Sequence, residues 1–581
     1  MRFIRLLKRC ETLAGLTTRV RSWLLPTRDV GTEPRRSRSG PPSISHLLAV
    51  AVSVFAACAF GQGLQVEPLK EVELQPRVGI LTETTITLPE AIERVLASDR
   101  DLVISRIERE EAGYNVSAAK GAYDPVVGLK AYHARQVSPV ASILQGSISG
   151  ELTQTELNAT PQISGLSPWL GGSYSLAFSN SREQNDSPFN TFNPMYATAL
   201  SLNLTQPLWR GLRFDENRHR LQVARKNQQL STQQLRQRTI QVVTQAVQAY
   251  WELNYAWHSF EVQTEAVRLA ERQHASNRRL AEQGILAPVD VVAAQTQVAT
   301  FQQLLFGAQQ ALTQAENNLK SLMLPNRDDL LWSAALIPAT EVKTDVTPPT
   351  LADAVKQALQ SRPELAETAI GIEVNKLDAR LSRELVRPRV DAFASLTAAG
   401  LSGQPVPGTN PFAPFFPPGT VLVPPLLVGG YGTSLSSLAA GNFPTAQVGL
   451  QVSLPLRNRT AEAQEAISVA EGRRLRALQD QVGMAVEADV RNALQGVGSA
   501  RSRLDAATLA RRSAEEQYAS EQRQFQAGTS TVFLVLQRQS DFISARSREV
   551  RARADLGEAV ANLDRATAGT LEAHGIRLAD R

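Results

Sequence analysis

The sequence predicts a mostly α-helical chain with a smaller β-sheet portion, built from one helix–strand–strand–long helix–helix unit that occurs twice. Three observations predict this fold class. A set of landmarks recurs in the same order, two very long stretches lack proline, and short segments alternate apolar with small polar residues. The absence of proline favours continuous helix, and alternation with a period of two favours strands with one apolar face.

The composition indicates a folded protein and excludes several functional classes. Of 581 residues, 43% are hydrophobic and 20% are charged, which is not the composition of a disordered chain. The two cysteines, Cys10 and Cys58, are too few for a disulfide framework or a cysteine-built zinc site, and the 6 histidines are scattered. We find no phosphate-binding loop, nucleophile elbow, zinc-protease motif or dinucleotide motif. The sequence therefore predicts neither an enzyme nor a cofactor.

The positive charge of the chain is concentrated at its N-terminus. Residues 1–46 hold 10 basic and 3 acidic residues, so 51 basic residues face 53 acidic residues in the rest of the chain. The total of +5 is thus no sign of a basic nucleic-acid-binding surface, and we expect no nucleic-acid partner.

Residues 1–61 are typical of an export signal. Arg35, Arg36 and Arg38 precede an uncharged apolar run, Leu47–Phe60, which is too short for a membrane-spanning helix. We expect cleavage near Ala59 or Gly61, with lipidation of Cys58 and an uncleaved anchor as alternatives. The long stretch before the run leaves the start site open. No later stretch reaches about 18 apolar residues, so we expect any membrane span to consist of strands.

The chain contains an internal duplication. Residues 87–92 (TLPEAI) recur as 350–355 (TLADAV), residues 204–208 (LTQPL) recur as 452–456 (VSLPL), and Gly284 recurs as Gly528. Each match is weak alone, but the common order indicates two copies. We assign the copies to 87–324 and 350–568, with a lead-in at 62–86, a linker at 325–349 and a tail at 569–581.

Each copy is predicted to contain five segments. A helix (87–123; 350–386) precedes one strand (126–134; 389–397) and, after a loop, a second strand (197–205; 446–453). A long helix (212–283; 457–527) and a shorter one (289–324; 532–568) complete the copy. The two short helices together match one long helix in length. We therefore expect a rod in which each long helix lies beside an end-to-end pair of short ones.

The strand segments have two different faces. Leucine or valine alternates with small polar residues in 200–205 and 448–454. This pattern fits a sheet with one apolar and one wet face, as in a membrane barrel. We predict that Leu202 and Val452 face lipid and that Asn203 and Gln451 face a lumen. Residues 173–179 predict a further strand, and the number of extra strands in 135–196 stays open. Residues 400–432, with eight Pro and seven Gly, predict an irregular loop.

Two tight reversals are predicted at 283–288 and 527–532. Gly284 and Gly528 follow the long helices and supply the left-handed conformation of a helix C-cap. Pro288 suits the first turn of the next helix, and Ser530 or Thr531 is a plausible N-cap.

The layout resembles the TolC family of outer-membrane efflux channels over about 87–570 in both copies. The resemblance rests on the duplicated order, on the two tips, and on residues 206–211 (QPLWRG), which are similar to the family's Q-P-L-x-x-G segment. It implies a homotrimer in which each chain gives four strands to a 12-stranded barrel in outer-membrane lipid and helices to a periplasmic tunnel. Leu454, residues 457–459 and Leu534 depart from the family pattern.

The resemblance also implies a function. The protein would be a passive exit duct of a tripartite efflux or type I secretion system, working with a periplasmic adaptor and an inner-membrane pump. A periplasmic adaptor and a structural coiled-coil protein are the alternatives, and the paired strands argue against both. Cargo and pump are not predicted.

The hairpin tips hold the candidate functional residues. We expect apolar side chains beside the reversals, including Val532 and Phe533, to form a docking surface for the adaptor. The predicted docking residues are Gly284, Ile285, Leu286, Gly528, Thr529 and Ser530. The charged residues predicted to close the inner end or to select cargo are Asp290, Glu521, Arg523, Arg538 and Asp541.

Overall fold

A computed structural model describes residues 76–141, 150–187, 189–345, 347–406, 417 and 423–577. The predicted export signal, including Cys58 as a candidate lipidation site, lies outside these residues. The statements below concern the described residues only.

The first copy follows a short strand, β1 (Thr82–Ile86). Its helices are α1 (Leu88–Ser98), α2 (Arg100–Lys120), α3 (Glu216–Glu282) and α4 (Pro288–Met323). Four strands lie between α2 and α3, namely β2 (Val126–Pro139), β3 (Glu151–Leu166), β4 (Ser173–Asn185) and β5 (Phe192–Pro207). A short strand, β6 (Ala334–Pro338), precedes the second copy.

The second copy repeats the order with fewer strands. It contains α5 (Leu351–Ser361), α6 (Pro363–Val386), β7 (Arg389–Pro405), α7 (Tyr431–Ala439), β8 (Phe443–Ser453), α8 (Arg459–Gln526) and α9 (Val532–Ala566). A last short helix, α10 (Thr570–Ala573), follows. The predicted order of helices and strands is therefore present twice.

The opening helical segment of each copy consists of two helices. In the first copy Asp99 leaves the helical conformation, and its carboxylate accepts a hydrogen bond from the Leu102 amide at 3.0 Å, which starts α2. In the second copy Arg362 is extended and Pro363 occupies the first turn of α6. The prediction of one continuous opening helix in each copy is therefore wrong, because a capping carboxylate and a proline interrupt it.

The helices α3 and α8 are the longest elements, with 67 and 68 residues. Asp215 starts α3, since its carboxylate accepts a hydrogen bond from the Arg218 amide at 2.7 Å. One long helix packs against two shorter ones in both copies: α3 contacts α2 and α4, and α8 contacts α6 and α9. This is the predicted pairing. No helix in the described part of the chain is both long and apolar enough to cross a membrane.

The largest apolar cluster lies where α1, α3 and α4 meet a small parallel sheet of β1 and β6. The sequence analysis did not predict this sheet, because each strand has only five residues. The fully buried Tyr250 of α3 connects both segments: its hydroxyl donates to the Ile86 carbonyl at 3.2 Å and accepts from the Thr340 amide at 2.9 Å. The segments before and between the copies are thereby fixed to the first long helix.

Six strands form one antiparallel sheet in the order β2-β3-β4-β5-β7-β8. The predicted segment 173–179 belongs to β4, whereas β3 was not predicted, because half of its residues are Thr, Gln, Asn or Glu and its apolar residues do not alternate regularly. The sheet of this chain thus has two strands more than the four that the resemblance implies for each chain's share of the barrel. The strands β3 and β4 form an additional hairpin between β2 and β5.

The two ends of the Pro/Gly-rich segment 400–432 belong to regular elements, which was not predicted. The strand β7 continues to Pro405, and α7 begins at Tyr431. The helix α7 packs on β5 and β7. Gly400 permits this close approach, because a Cβ atom there would meet the Ser434 carbonyl oxygen at 2.1 Å. The hydroxyls of Thr198 and Ser434 lie 2.9 Å apart.

Candidate functional site

One row of side chains crosses all six strands of the sheet and is apolar throughout. Residues that pair directly in an antiparallel sheet share a face, so the register defines each row. Leu396 is 53% exposed and Val127 is 76% exposed, although both are apolar. Such a face is unfavourable in water and suited to lipid. The row consists of Val127, Ile163, Leu176, Leu202, Leu396 and Ala446.

The neighbouring row points to the other face and is small or polar. The Thr397 hydroxyl donates to the Ser201 hydroxyl at 3.1 Å within this row. The register also places Leu202 and Asn203 on opposite faces, in agreement with the alternation in the sequence. The row consists of Gly128, Gln162, Ala177, Ser201, Thr397 and Thr445.

The first and last strands of the sheet, β2 and β8, each have one edge without a partner strand among the described residues. On β8, Val448 is 83% exposed and Val452 is 65% exposed. Because six antiparallel strands alternate in direction, β2 and β8 run in opposite directions. The free edges therefore suit antiparallel pairing between two copies of the chain.

Both helical hairpins reverse at a glycine in the left-handed region. Gly284 has a φ of +76° and Gly528 a φ of +75°, and no atom lies within 4 Å of where a Cβ atom would be. The backbone conformation, and not crowding, therefore favours glycine. The next amides, of Ile285 and Thr529, donate to carbonyls of the preceding helical turn at 2.9 Å, which closes both caps as predicted.

The helices that follow the tips begin differently. Pro288 occupies the first turn of α4, where its missing amide hydrogen causes no loss. In the second copy Thr531 caps α9, and its hydroxyl accepts a hydrogen bond from the Leu534 amide at 3.4 Å. Of the two predicted caps, Thr531 takes this position, whereas Ser530 donates to the Glu521 carboxylate across the tip.

The two tips contact each other through apolar side chains. Leu286 is partly buried against Ala294 of α4 and against Val532 and Leu536 of α9. Val532 is only 2% exposed. The prediction that Val532 belongs to an exposed docking surface is therefore wrong, whereas Leu286 is partly exposed and also lines a groove between the two hairpins. These side chains join the first hairpin to the second.

Other apolar side chains at the tips remain exposed. Ile285 is 67% exposed, Val289 is 61% exposed and Phe533 is 72% exposed. Ile285 and Phe533 were predicted to be accessible, and Val289 was missed because it lies one residue after the proline. Large exposed apolar side chains that lie close together on a surface favour a contact with a partner.

A groove of about 1000 Å³ lies between the two hairpins beside the tips. Leu269 and Leu280 line it from the first hairpin, and Tyr518 and Phe525 line it from the second. The Tyr518 ring stacks on Phe542 with 6.0 Å between ring centroids. Burial raises the pKa of the Tyr518 hydroxyl, so this side chain is neutral at physiological pH.

The predicted charged residues do not form one cluster within a single chain. Arg538 and Asp541 pair along α9 at 3.5 Å, and Glu521 accepts the hydrogen bond from Ser530. Asp290 lies in the first turn of α4 and Arg523 in the last turn of α8. Both positions place the charge favourably relative to the helix dipole, which stabilises the helix ends.

Buried amide side chains behind the tips were missed by the sequence analysis. Gln273 donates to Asn277 at 2.8 Å within α3, and both are buried. Gln539 of α9 is fully buried, and neither polar atom of its side chain has a partner among the described residues. An unpaired buried amide weakens the packing locally. The sequence did contain a signal for these buried amides. Gln273 and Asn277 continue, at helical spacing, the buried stripe that contains Ala266 and Ala270.

Comparisons with known proteins agree with this geometry. A sequence model described as outer membrane efflux protein matches residues 91–323 and 354–569. No curated protein sequence matches. The chain is 13% identical to the CmeC outer membrane channel of Campylobacter jejuni, with a TM-score of 0.56 over 87% of this chain and 94% of that one.

Two further outer-membrane proteins have the same fold. The outer membrane protein VceC of Vibrio cholerae is 15% identical, with a TM-score of 0.55 over 83% of this chain and 96% of that one. The MtrE outer membrane channel of Neisseria gonorrhoeae is 15% identical, with a TM-score of 0.55 over 83% and 89%. The family match covers most of both copies and supports a channel over an adaptor or a structural coiled coil. This chain belongs to the outer membrane efflux protein family and is an outer-membrane efflux channel.

Proposed function

We propose that the protein is the passive exit duct of a tripartite efflux or type I secretion system. In this proposal, three copies share a barrel in the outer membrane, and their helices extend into the periplasm. One observation carries the proposal: the same chain combines a two-faced sheet with free edges and two helical tips with exposed apolar residues. The helix α3, with 67 residues, separates the sheet from the first tip by about 100 Å.

The free edges of the sheet require more than one copy. A strand edge exposed to lipid leaves backbone amides and carbonyls without partners, at several kcal/mol for each group. Pairing β8 of one copy with β2 of the next removes every free edge once the ring closes. The family resemblance supports three copies, and an obligate trimer follows, because an isolated sheet would keep both edges open.

The tips are the proposed contact with the periplasmic adaptor. Ile285, Val289 and Phe533 offer apolar surface beside a groove between two helical hairpins, and an adaptor with a helical hairpin could lie in that groove. The inner-membrane pump would act through this adaptor. Arg538 and Asp541 are proposed to line the inner opening of the trimer, where their pair along α9 would contribute to closure.

Residues 1–61 are proposed to direct export, with Cys58 as the residue that would carry a lipid if the signal is of the lipoprotein type. Transport through the duct is proposed to be passive, with the pump supplying the energy. The copies 87–324 and 350–568 are the proposed structural units.

Membrane fractionation followed by mass measurement tests this proposal. The full chain should be found in the outer-membrane fraction, and detergent extraction should release a particle of about three times the mature mass. Urea-washed membranes serve as the control, because an integral protein stays with the membrane whereas an adsorbed one is released. A stable monomer in the soluble fraction would contradict the proposal.

A further inference from the structure

We propose that the hairpin of β3 and β4 is a third pair of membrane-wall strands, which makes the exit of this channel wider than four strands per chain allow. The inference rests on the proposed trimer. It concerns β3 and β4, the two strands of the described sheet that exceed the four per chain implied by the family resemblance.

The apolar row of the sheet continues through the β3–β4 hairpin. Ile163 of β3 lies directly opposite Val127 of β2, and Leu176 of β4 lies directly opposite Leu202 of β5. Ile163 and Leu176 also oppose each other. The apolar residues of the hairpin therefore lie at the same height along the strands as those of β2 and β5, between which the hairpin is inserted. A hairpin folded as a lid outside the membrane would have no reason to continue this row.

The opposite face of the hairpin is polar. Ser164 of β3 opposes Ser175 of β4, and Ser175 opposes Asn203 of β5. On the same face, the Tyr132 hydroxyl donates to the Glu156 carboxylate at 2.8 Å. One apolar and one polar face is the pattern of a wall between lipid and water, whereas a plug inside a lumen would be polar on both faces.

The strands of the hairpin are long enough to cross a membrane. The strands β3 and β4 have 16 and 13 residues, more than the roughly 9–11 that cross a membrane in a tilted strand. Their turn returns to the helical end of the sheet, where the Gln206 side chain donates to the Leu170 carbonyl at 2.8 Å. A Cβ atom on Gly171 in this turn would lie 2.8 Å from the Asp215 carboxylate, just before α3. The hairpin thus extends over the full height of the sheet.

The consequence is a wider lumen. Six strands per chain in three copies give eighteen strands, and an even number per chain keeps every pair antiparallel, including the pairs between copies. Barrel diameter grows roughly linearly with strand number, so the exit would be about 1.5 times as wide as with twelve strands. The added lumen surface carries hydroxyl, amide and carboxylate groups. Such an exit fits bulky, hydrated polar cargo.

A matched pair of variants on β4 tests the placement of the hairpin. Leu176→Arg should lower the amount of assembled outer-membrane trimer at least about tenfold, because the charge would face lipid. Ser175→Arg, on the adjacent residue, should leave assembly unchanged, because its side chain would face water. Leu202→Arg on β5 is the reference for a wall strand. If Leu202→Arg blocks assembly and Leu176→Arg does not, the hairpin lies outside the wall and the inference is wrong.

Electron microscopy of the detergent-extracted wild-type particle provides the independent measurement. The expected result is a trimer with eighteen strands in cross-section. A trimer with twelve strands would overturn the wider exit while leaving the proposed duct intact. A dimer, whose two six-stranded sheets would also give twelve strands, would overturn both the trimer and the wider exit.

Discussion

Leu202 in the first copy lies directly opposite Leu396 in the second, on the same face of the sheet. This pair marks the junction at which β5 and β7 join the two copies edge to edge. The duplicated units therefore share one continuous sheet, and each contributes apolar residues to the same face. The first prediction concerns a charged side chain at this pair.

A charged side chain at this junction should block assembly of the trimer only when it lies on the apolar face of the sheet. Leu202→Arg places a guanidinium on the apolar face and should cost about 2–4 kcal/mol near mid-membrane, with a matching loss of assembled trimer. Asn203→Arg, on the opposite face, should assemble normally. Semi-native gel electrophoresis of outer-membrane extracts measures the trimer in each variant. Equal losses in the two variants would mean that the assignment of the two faces is wrong.

The exposed tip residues should be required for efflux and dispensable for assembly. Ile285→Asp and Phe533→Asp replace exposed apolar surface with charge and should reduce efflux strongly at a normal trimer level, because the adaptor would lose an apolar contact. Ile285→Val retains the apolar surface and is the control. Dye accumulation in intact cells, normalised to trimer yield, measures the effect. Normal efflux in both aspartate variants would place the adaptor contact elsewhere.

Leu286 should behave differently from Ile285, although the two are adjacent. Leu286 packs against Val532 and Leu536 between the hairpins, so Leu286→Ala should lower stability at the tips by about 1–3 kcal/mol. Limited proteolysis should then cut near the tips faster than in wild type, whereas Ile285→Ala should not change the rate. Equal rates in Leu286→Ala and wild type would contradict the packing between the hairpins.

The buried ion pair of α4 should be sensitive to the loss of its cation. Lys320 and Glu316 are fully buried and lie 2.6 Å apart, and the Lys320 ammonium also donates to the Ala334 carbonyl of β6 at 2.6 Å. Lys320→Met should destabilise the protein by about 3 kcal/mol, because it leaves a buried carboxylate with fewer partners. Lys376→Met, at an exposed position, should change stability by less than about 0.5 kcal/mol. Thermal unfolding in detergent compares the two, and similar melting temperatures would contradict the prediction.

Asp564 should make stability depend on pH. It lines a cavity of about 700 Å³ with Leu88 and Trp251, and burial raises the pKa of its carboxyl to about 6. The folded state then holds the proton more tightly than the unfolded state, whose carboxyl has a pKa of about 3.9. The stabilising contribution of the protonated Asp564 carboxyl is therefore complete below about pH 4, and it is lost as the pH rises through about 6.

The variant Asp564→Asn isolates this effect. It should match wild type at pH 4 and exceed it in stability at pH 7 by about 1 kcal/mol, a value reduced for partial contact with water. Burial lowers the pKa of His574 in the same cavity, so the effect of pH on stability through His574 has the opposite sign. Because wild type and variant both contain His574, this effect cancels when the two proteins are compared. Melting curves at pH 4, 5.5 and 7 give the measurement. A difference that does not change with pH would contradict the raised pKa.

The elements whose cause is local could be predicted from the amino-acid sequence. Long stretches without proline predicted α3 and α8 because nothing interrupts their hydrogen-bond ladders. Gly284 and Gly528 predicted the tips because the left-handed conformation is easiest for glycine. The alternation around Leu202 placed it on the face opposite Asn203, since side chains in a strand alternate by geometry alone. The repeated order of these signals predicted the duplication and, through it, the family.

Strand number, register and burial depend on partners that are distant in sequence, and they are seen only in the three-dimensional structure. The strand β3 has a weak apolar pattern, and only the register of the sheet places its Ile163 opposite Val127 and Leu176. Leu286 and Ile285 have the same local character, yet Leu286 is partly buried and Ile285 is exposed, because Leu286 packs on the apolar cluster of Ala294, Val532 and Leu536. Helical and strand periods are properties of a segment. Strand number, register and burial are set by contacts between segments, and no local pattern encodes them.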